Sequence, residues 1–216
     1  MEERAAFSRA PSLAALVRGG GIALAAGGLL FVVATLLHPS QETPVTILET
    51  EARLVGSHAV WVVSYIFILL GLPALYVAES QRLGRTGFLM AFGGTTLLAI
   101  SGMFGFFAPV LARDAPETLD SIVEYWPVVV FNAFAAIGFM AGFVILGIAV
   151  ARSKVVVPAR SGVLMAVGAP LHLVGFGIAQ LGSPALWFVA ILGSVALGAG
   201  LAWSGYRMWK SRGADS

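Results

Sequence analysis

Three histidines are the residues of this chain best suited to chemistry, because cysteine is absent and charged residues are few. His172 lies near the centre of an apolar stretch, residues 161–181, that contains no Asp, Glu, Lys or Arg. An ionisable side chain in the middle of a membrane is costly, so we expect it to have a partner or a function. Pro170 removes a backbone hydrogen bond in the same stretch and predicts a bend there.

Polar residues within the apolar stretches concentrate in one half of the predicted membrane domain. If the odd-numbered stretches run outward, Ser101 and His172 lie ~14 Å below the outer face. Tyr65 lies somewhat higher, and His58 and Asn132 lie close to that face. These depths predict an outward-facing polar pocket with His172 at its floor and all five residues as ligand contacts. The alternative is that each group makes one hydrogen bond within a packed bundle.

His38 and His58 flank the first polar loop and, with a carboxylate, offer the ligand types of a zinc site. Glu51 is the predicted carboxylate, and Glu42 and Glu49 lie in the same loop. No close ligand spacing such as HExxH is present. The sequence therefore predicts no metal or cofactor, and zinc at His38, His58 and Glu51 stays open as an alternative.

Two other pairings of these residues are weaker. Haem stays open as a cofactor, but His58 lies ~14 Å above His172 by helix rise, a poor match for two axial ligands. Ser101 and His172 share a depth, which would suit an intramembrane Ser–His enzyme. A serine in such a helix usually bonds to the backbone, however, and no companion motif is present. The sequence favours a protein that is not an enzyme.

Composition indicates the class of protein that must position these residues. The chain is 58% hydrophobic and 11% charged, whereas a soluble domain carries about 25% charged residues. Six apolar stretches predict an all-α, six-transmembrane-helix bundle over residues 19–206, with tails at 1–18 and 207–216. The predicted helices span residues 19–37, 58–78, 86–110, 127–150, 161–181 and 185–206.

Charge predicts how the bundle is oriented. Six spans place the tails and loops alternately on two sides of the membrane. The side with both tails carries 11 Lys and Arg residues, and the other side carries two, Arg53 and Arg113. The positive-inside rule therefore predicts cytoplasmic termini in a multi-pass protein of the cell membrane, typical of a bacterial inner membrane. The net charge of +2 does not indicate nucleic-acid binding.

Small residues recur at every fourth position of the last stretch, at Ala190, Ser194, Gly198 and Ala202. Such a stripe lets helices approach closely, either within the bundle or against a second copy or another membrane protein. Short loops and little chemistry predict a non-catalytic binding or accessory-subunit role, with the lipid bilayer as a partner. A small-molecule transporter or channel is the alternative, and an intramembrane enzyme is the second alternative.

Overall fold

The chain is described by a computed structural model at residues 13–79, 82–153 and 157–211. Over these residues it is all-helical, and six helices are long and apolar enough to span a membrane, which confirms the predicted all-α fold with six long apolar helices. Two 3-10 turns, Met103–Phe106 and Pro184–Leu186, precede α5 and α9. The α-helices are α1 (Leu13–Leu37), α2 (Pro44–Glu49), α3 (Glu51–Glu79), α4 (Arg82–Gly102), α5 (Ala108–Asp114), α6 (Pro116–Glu124), α7 (Trp126–Ser153), α8 (Ala159–Gln180) and α9 (Trp187–Lys210).

The six long helices α1, α3, α4, α7, α8 and α9 form a closed ring in chain order. Each packs against the helix before it and the helix after it, and α9 returns to pack against α1. Aromatic rings fill the centre of the ring, where Phe31 lies 6.0 Å from Phe139 and 6.1 Å from Tyr65 between ring centroids. All three side chains are buried.

The short helices α2, α5 and α6 cover one end of the ring, which we name the capped end. Residues 38–57 and 111–126 were predicted as loops, but most of them are helical. Thr43 caps α2 in a reciprocal capping box with Thr46, and Pro44 and Pro116 occupy the first turns of α2 and α6. As a result α3 begins at Glu51, about two turns before its predicted start.

Glycines hold the long helices close together. Gly28 of α1 packs on Gly198 of α9, and Gly147 of α7 packs on Gly162 of α8. Backbones can approach this closely only where side chains are absent. The stripe of small residues on α9 therefore packs within the chain, where Gly198 faces α1 and Ala190 faces Gly175 of α8.

A pair of adjacent glycines on α4 tests this packing. A Cβ atom at Gly94 would overlap the backbone nitrogen of Phe139, whereas a Cβ atom at Gly93 would meet nothing within 4 Å. We expect Gly94→Ala to destabilise the bundle by ~1–3 kcal/mol because the helices must separate. Gly93→Ala should be neutral or slightly stabilising, since alanine favours helix. Unfolding of the two variants in mixed micelles measures the difference, and equal stabilities would contradict this packing.

Candidate functional site

A cavity of ≈ 670 Å³ lies at the capped end of the ring. The helices α7 and α8 meet through Gly147 and Gly162, near the end opposite the cap. Their halves near the cap instead line the cavity, together with residues of α3 and α4. The lining is mostly apolar, and its polar or ionisable members are Glu42, His58, Trp61, Tyr65, Ser101, Asn132, His172 and Gln180.

The cavity brings together all five side chains predicted to bind a ligand: His58, Tyr65, Ser101, Asn132 and His172. Two of them are paired, because the Ser101 hydroxyl donates to Asn132 Oδ1 at 2.7 Å. His172 is buried and its Nδ1–H donates to the Ala190 carbonyl at 3.2 Å. These hydrogen bonds agree with the alternative in which Ser101, Asn132 and His172 each make one hydrogen bond within the packed bundle. Donors without a partner lie elsewhere in the cavity wall.

Two residues that the sequence did not single out supply such donors. Trp61 Nε1 and Gln180 Nε2 are buried and have no hydrogen-bond partner among the described residues. Both residues line the cavity. Leaving a buried donor unpaired costs ~1–3 kcal/mol. Because both residues line the cavity, these two N–H groups are candidates for pairing with a bound acceptor. The sequence held a signal for Trp61, because it shares one face of α3 with His58 and Tyr65.

A cluster of three ionisable side chains lies at the edge of the cavity: His38, Glu42 and His58. Their ligand atoms all lie within 4.8 Å of one another. His38 Nε2 is 3.3 Å from His58 Nε2 and 3.1 Å from Glu42 Oε1. We refer to these three residues as the histidine cluster.

The histidine cluster differs from the sequence prediction in its carboxylate. The structure places Glu42, not Glu51, beside the two imidazoles, and Glu51 bonds to Arg113 at 2.7 Å. The reason is local: Glu42 lies four residues after His38 in the segment that joins α1 to α2, and Glu51 begins α3 and pairs with Arg113 instead. His38 and His58 are also buried, although helix depth alone placed them at the surface.

His172 is closer to the cluster than helix rise predicted. The Trp61 ring lies 4.6 Å from the His38 ring and 6.3 Å from the His172 ring, between centroids. The centroids of the His38 and His172 rings can be no farther apart than the sum of these two distances. That sum is smaller than the ~14 Å predicted from helix rise. Aromatic side chains therefore form one continuous wall from the histidine cluster to the floor of the cavity.

Backbone contacts hold the cluster in place. Arg53 donates from its guanidinium to the carbonyls of Leu37 and His38. The backbone N–H of Glu42 donates to Gln180 Oε1 at 3.0 Å, which ties the end of α8 to the loop. Both contacts tie the loop that follows α1, which carries His38 and Glu42, to α3 and α8.

Glu42 is an ionised group in this setting. Burial raises the pKa of its carboxyl, but the hydrogen bond with His38 and the charges of His38 and His58 lower it by more. The net shift of the Glu42 pKa is downward from its ordinary value. Glu42 therefore carries a negative charge at neutral pH and provides the histidine cluster with its anion.

Comparison with known proteins identifies no relative: no protein-family model, curated protein or solved structure matches this chain. The function is therefore inferred from the residues of the cavity and the histidine cluster.

Two neighbouring glycines test the geometry around His58. A Cβ atom at Gly105 would overlap the His58 imidazole, whereas one at Gly102 would only touch Val62, at 3.6 Å. We expect Gly105→Ala to displace the His58 ring and break its 2.8 Å bond to the Gly102 carbonyl. Nitrogen-15 spectra of labelled histidines should show an altered His58 in Gly105→Ala and a native-like His58 in Gly102→Ala. Wild-type His58 signals in both variants would contradict the close contact.

Proposed function

We propose that this chain is a non-catalytic binding or accessory protein of the cell membrane that holds a small, mostly apolar molecule in the cavity at the capped end. The observation that carries the proposal is the mostly apolar cavity of ≈ 670 Å³, whose wall includes Trp61, a residue whose buried indole N–H has no partner among the described residues. A packed interior would be expected to satisfy such a donor, as nearly all buried polar groups are satisfied.

The cavity lining defines the class of molecule that fits. Its volume of ≈ 670 Å³ falls within the range of sites for drug-sized ligands. Leu98, Phe131 and Phe176 are typical of its walls, and no Lys or Arg is among its described lining residues. An uncharged, mainly hydrocarbon molecule with one or two hydrogen-bond acceptors matches these walls and the donor of Trp61. An anionic molecule would find no positive side chain there.

Binding is favoured over transport by the depth of the cavity. The lining ends near mid-bundle, at Tyr65, Ala136 and His172. Beyond them, Phe139 and Phe143 are fully buried and occupy the interior. A transporter or channel would have to move these rings, so the transport alternative requires a second conformation that opens at the other end.

The proposed orientation puts the capped end outside the cell and both termini in the cytoplasm. Its support is the distribution of Lys and Arg in the sequence, of which 11 fall in the tails and loops predicted on one side, and two, Arg53 and Arg113, in the loops predicted on the other. Cytoplasmic loops carry such an excess of positive residues. The cavity would then receive its ligand from the outer face or the outer leaflet, and any partner chain would bind elsewhere on the bundle.

Filling the cavity tests the proposed ligand. Ala136 lines the cavity, whereas Ala133, on the same helix, is exposed and is not among the lining residues. We expect Ala136→Trp to expel a bound small molecule and Ala133→Trp to retain it. Native mass spectrometry of protein released gently from its own host's membrane detects the bound molecule as added mass. Absence of added mass on the wild-type protein, or equal retention by both variants, would contradict the proposal.

The contribution of Trp61 is tested separately. We expect Trp61→Phe to weaken ligand retention several-fold, because one hydrogen bond contributes ~0.5–1.5 kcal/mol. Trp209→Phe is the matched control, since Trp209 is exposed at the other end of the bundle. Competition between wild-type and variant protein for the extracted molecule measures the ratio, and an unchanged Trp61→Phe would remove the role of Trp61 in the site.

The absence of cysteine makes the orientation simple to test. Thr118 lies exposed in α6 at the capped end, and Ser211 follows α9 at the other end. In intact cells a membrane-impermeant maleimide should label Thr118→Cys and spare Ser211→Cys until the membrane is opened. The reverse pattern would place the capped end in the cytoplasm.

A further inference from the structure

We propose that His38, Glu42 and His58 bind one divalent transition-metal ion of the zinc class at the edge of the cavity. Two imidazoles and a carboxylate are a ligand set that zinc uses in sites with an open position. Two nitrogens bound to one tetrahedral zinc ion lie ~3.4 Å apart, given Zn–N bonds of ~2.0–2.1 Å. The observed separation of the two Nε2 atoms is 3.3 Å.

The hydrogen bonds of the two imidazoles show which nitrogen of each ring carries the hydrogen. His38 Nδ1 is 2.6 Å from the Pro39 carbonyl, and His58 Nδ1 is 2.8 Å from the Gly102 carbonyl. A carbonyl oxygen only accepts, so each Nδ1 carries the hydrogen and each neutral ring has its lone pair on Nε2. With both rings neutral, the two lone pairs would face each other at 3.3 Å, and the lone pair of His38 would also face Glu42 Oε1 at 3.1 Å. A positive charge at this point, either a proton on one Nε2 or a metal ion, removes the repulsion.

The same hydrogen bonds are the usual support of metal-bound histidine. A ligating imidazole almost always donates its other N–H to a carbonyl or a carboxylate, which orients the ring. Both rings here have that support, and they come from different parts of the chain, the end of α1 and the second turn of α3. The carboxylate of Glu42 supplies a negative charge that offsets part of the charge of the ion.

The surroundings favour an ion with an open position. The His38 ring packs among aromatic rings, with centroids 4.6 Å from Trp61 and 5.4 Å from Trp187. These rings exclude water from one side of the cluster. Glu42 and His58, by contrast, line the cavity. With three protein ligands, a tetrahedral ion keeps a fourth position, which would face the cavity and accept water or a donor atom of a bound molecule.

Metal binding is measured on the purified full chain, without any cavity ligand. The protein is stripped with a chelator and dialysed against Zn²⁺, and the retained metal is counted by mass spectrometry. Co²⁺ then replaces Zn²⁺ as a visible probe of coordination. We expect one equivalent of Zn²⁺ per folded chain and a Co²⁺ spectrum typical of tetrahedral coordination. No retained Zn²⁺ on the folded wild-type protein would overturn the proposal.

Variants locate the ion. We expect His58→Ala and Glu42→Gln to lower Zn²⁺ affinity by at least ~10-fold. Mutation of a group that only supports a metal ligand already costs about that much. Glu49→Gln and Glu51→Gln are matched controls and should keep one equivalent, since neither residue belongs to the cluster. If an alanine variant aggregates, His58→Gln replaces it. An equal loss in a control, or equal retention in every variant, would place the metal elsewhere.

The cavity ligand and the metal site are tested by independent experiments, so either proposal can be overturned without the other. Native mass spectrometry of the membrane-derived protein reports the cavity ligand, and dialysis of the stripped protein reports the metal. A chain that binds Zn²⁺ but carries no small molecule would keep the metal site and lose the ligand-binding function.

Discussion

Close contact between glycine-bearing helix faces is the constraint on which the rest of this structure depends. In the proposed membrane setting, lipid is as apolar as the helices, so packing and not hydrophobicity would hold the ring together. Gly94 places α4 against α7, and Gly28 with Gly198 places α1 against α9. In the pair of α7 and α8, Gly147 and Gly162 make the close approach near one end, and residues of the other halves line the cavity. The cavity therefore lies where these two helices share no glycine contact.

The second constraint is the cost of leaving polar groups unpaired in an apolar interior. Ser64 meets this cost by donating to the Gly27 carbonyl at 2.8 Å, and Ser204 by donating to the Gly200 carbonyl at 2.8 Å. Three buried polar side-chain atoms of the described residues lack a partner, and two of them, on Trp61 and Gln180, belong to the cavity wall. The third, on Thr95, lies outside it, and nothing in the structure explains it.

Sequence reasoning predicted the long helices and the polar half of the bundle for simple reasons. Hydropathy identifies apolar segments, and position along a helix gives depth, so His172, Tyr65 and Asn132 were expected at one cavity. Depth gives no information on how a polar loop folds. The capping box at Thr43 starts a helix over residues 44–49 directly after Glu42, and Glu42 rather than Glu51 lies beside the imidazoles. That outcome depends on tertiary contacts such as those of Arg53, which no periodicity in the sequence reports.

An experimental structure of the protein prepared from its own membrane tests the central claim most directly, namely that the capped end is a built ligand site. We expect α7 and α8 to remain apart at that end, with non-protein density between them that contacts Trp61. Contact between α7 and α8 along their whole length, or a cavity filled by the protein's own side chains, would contradict the claim.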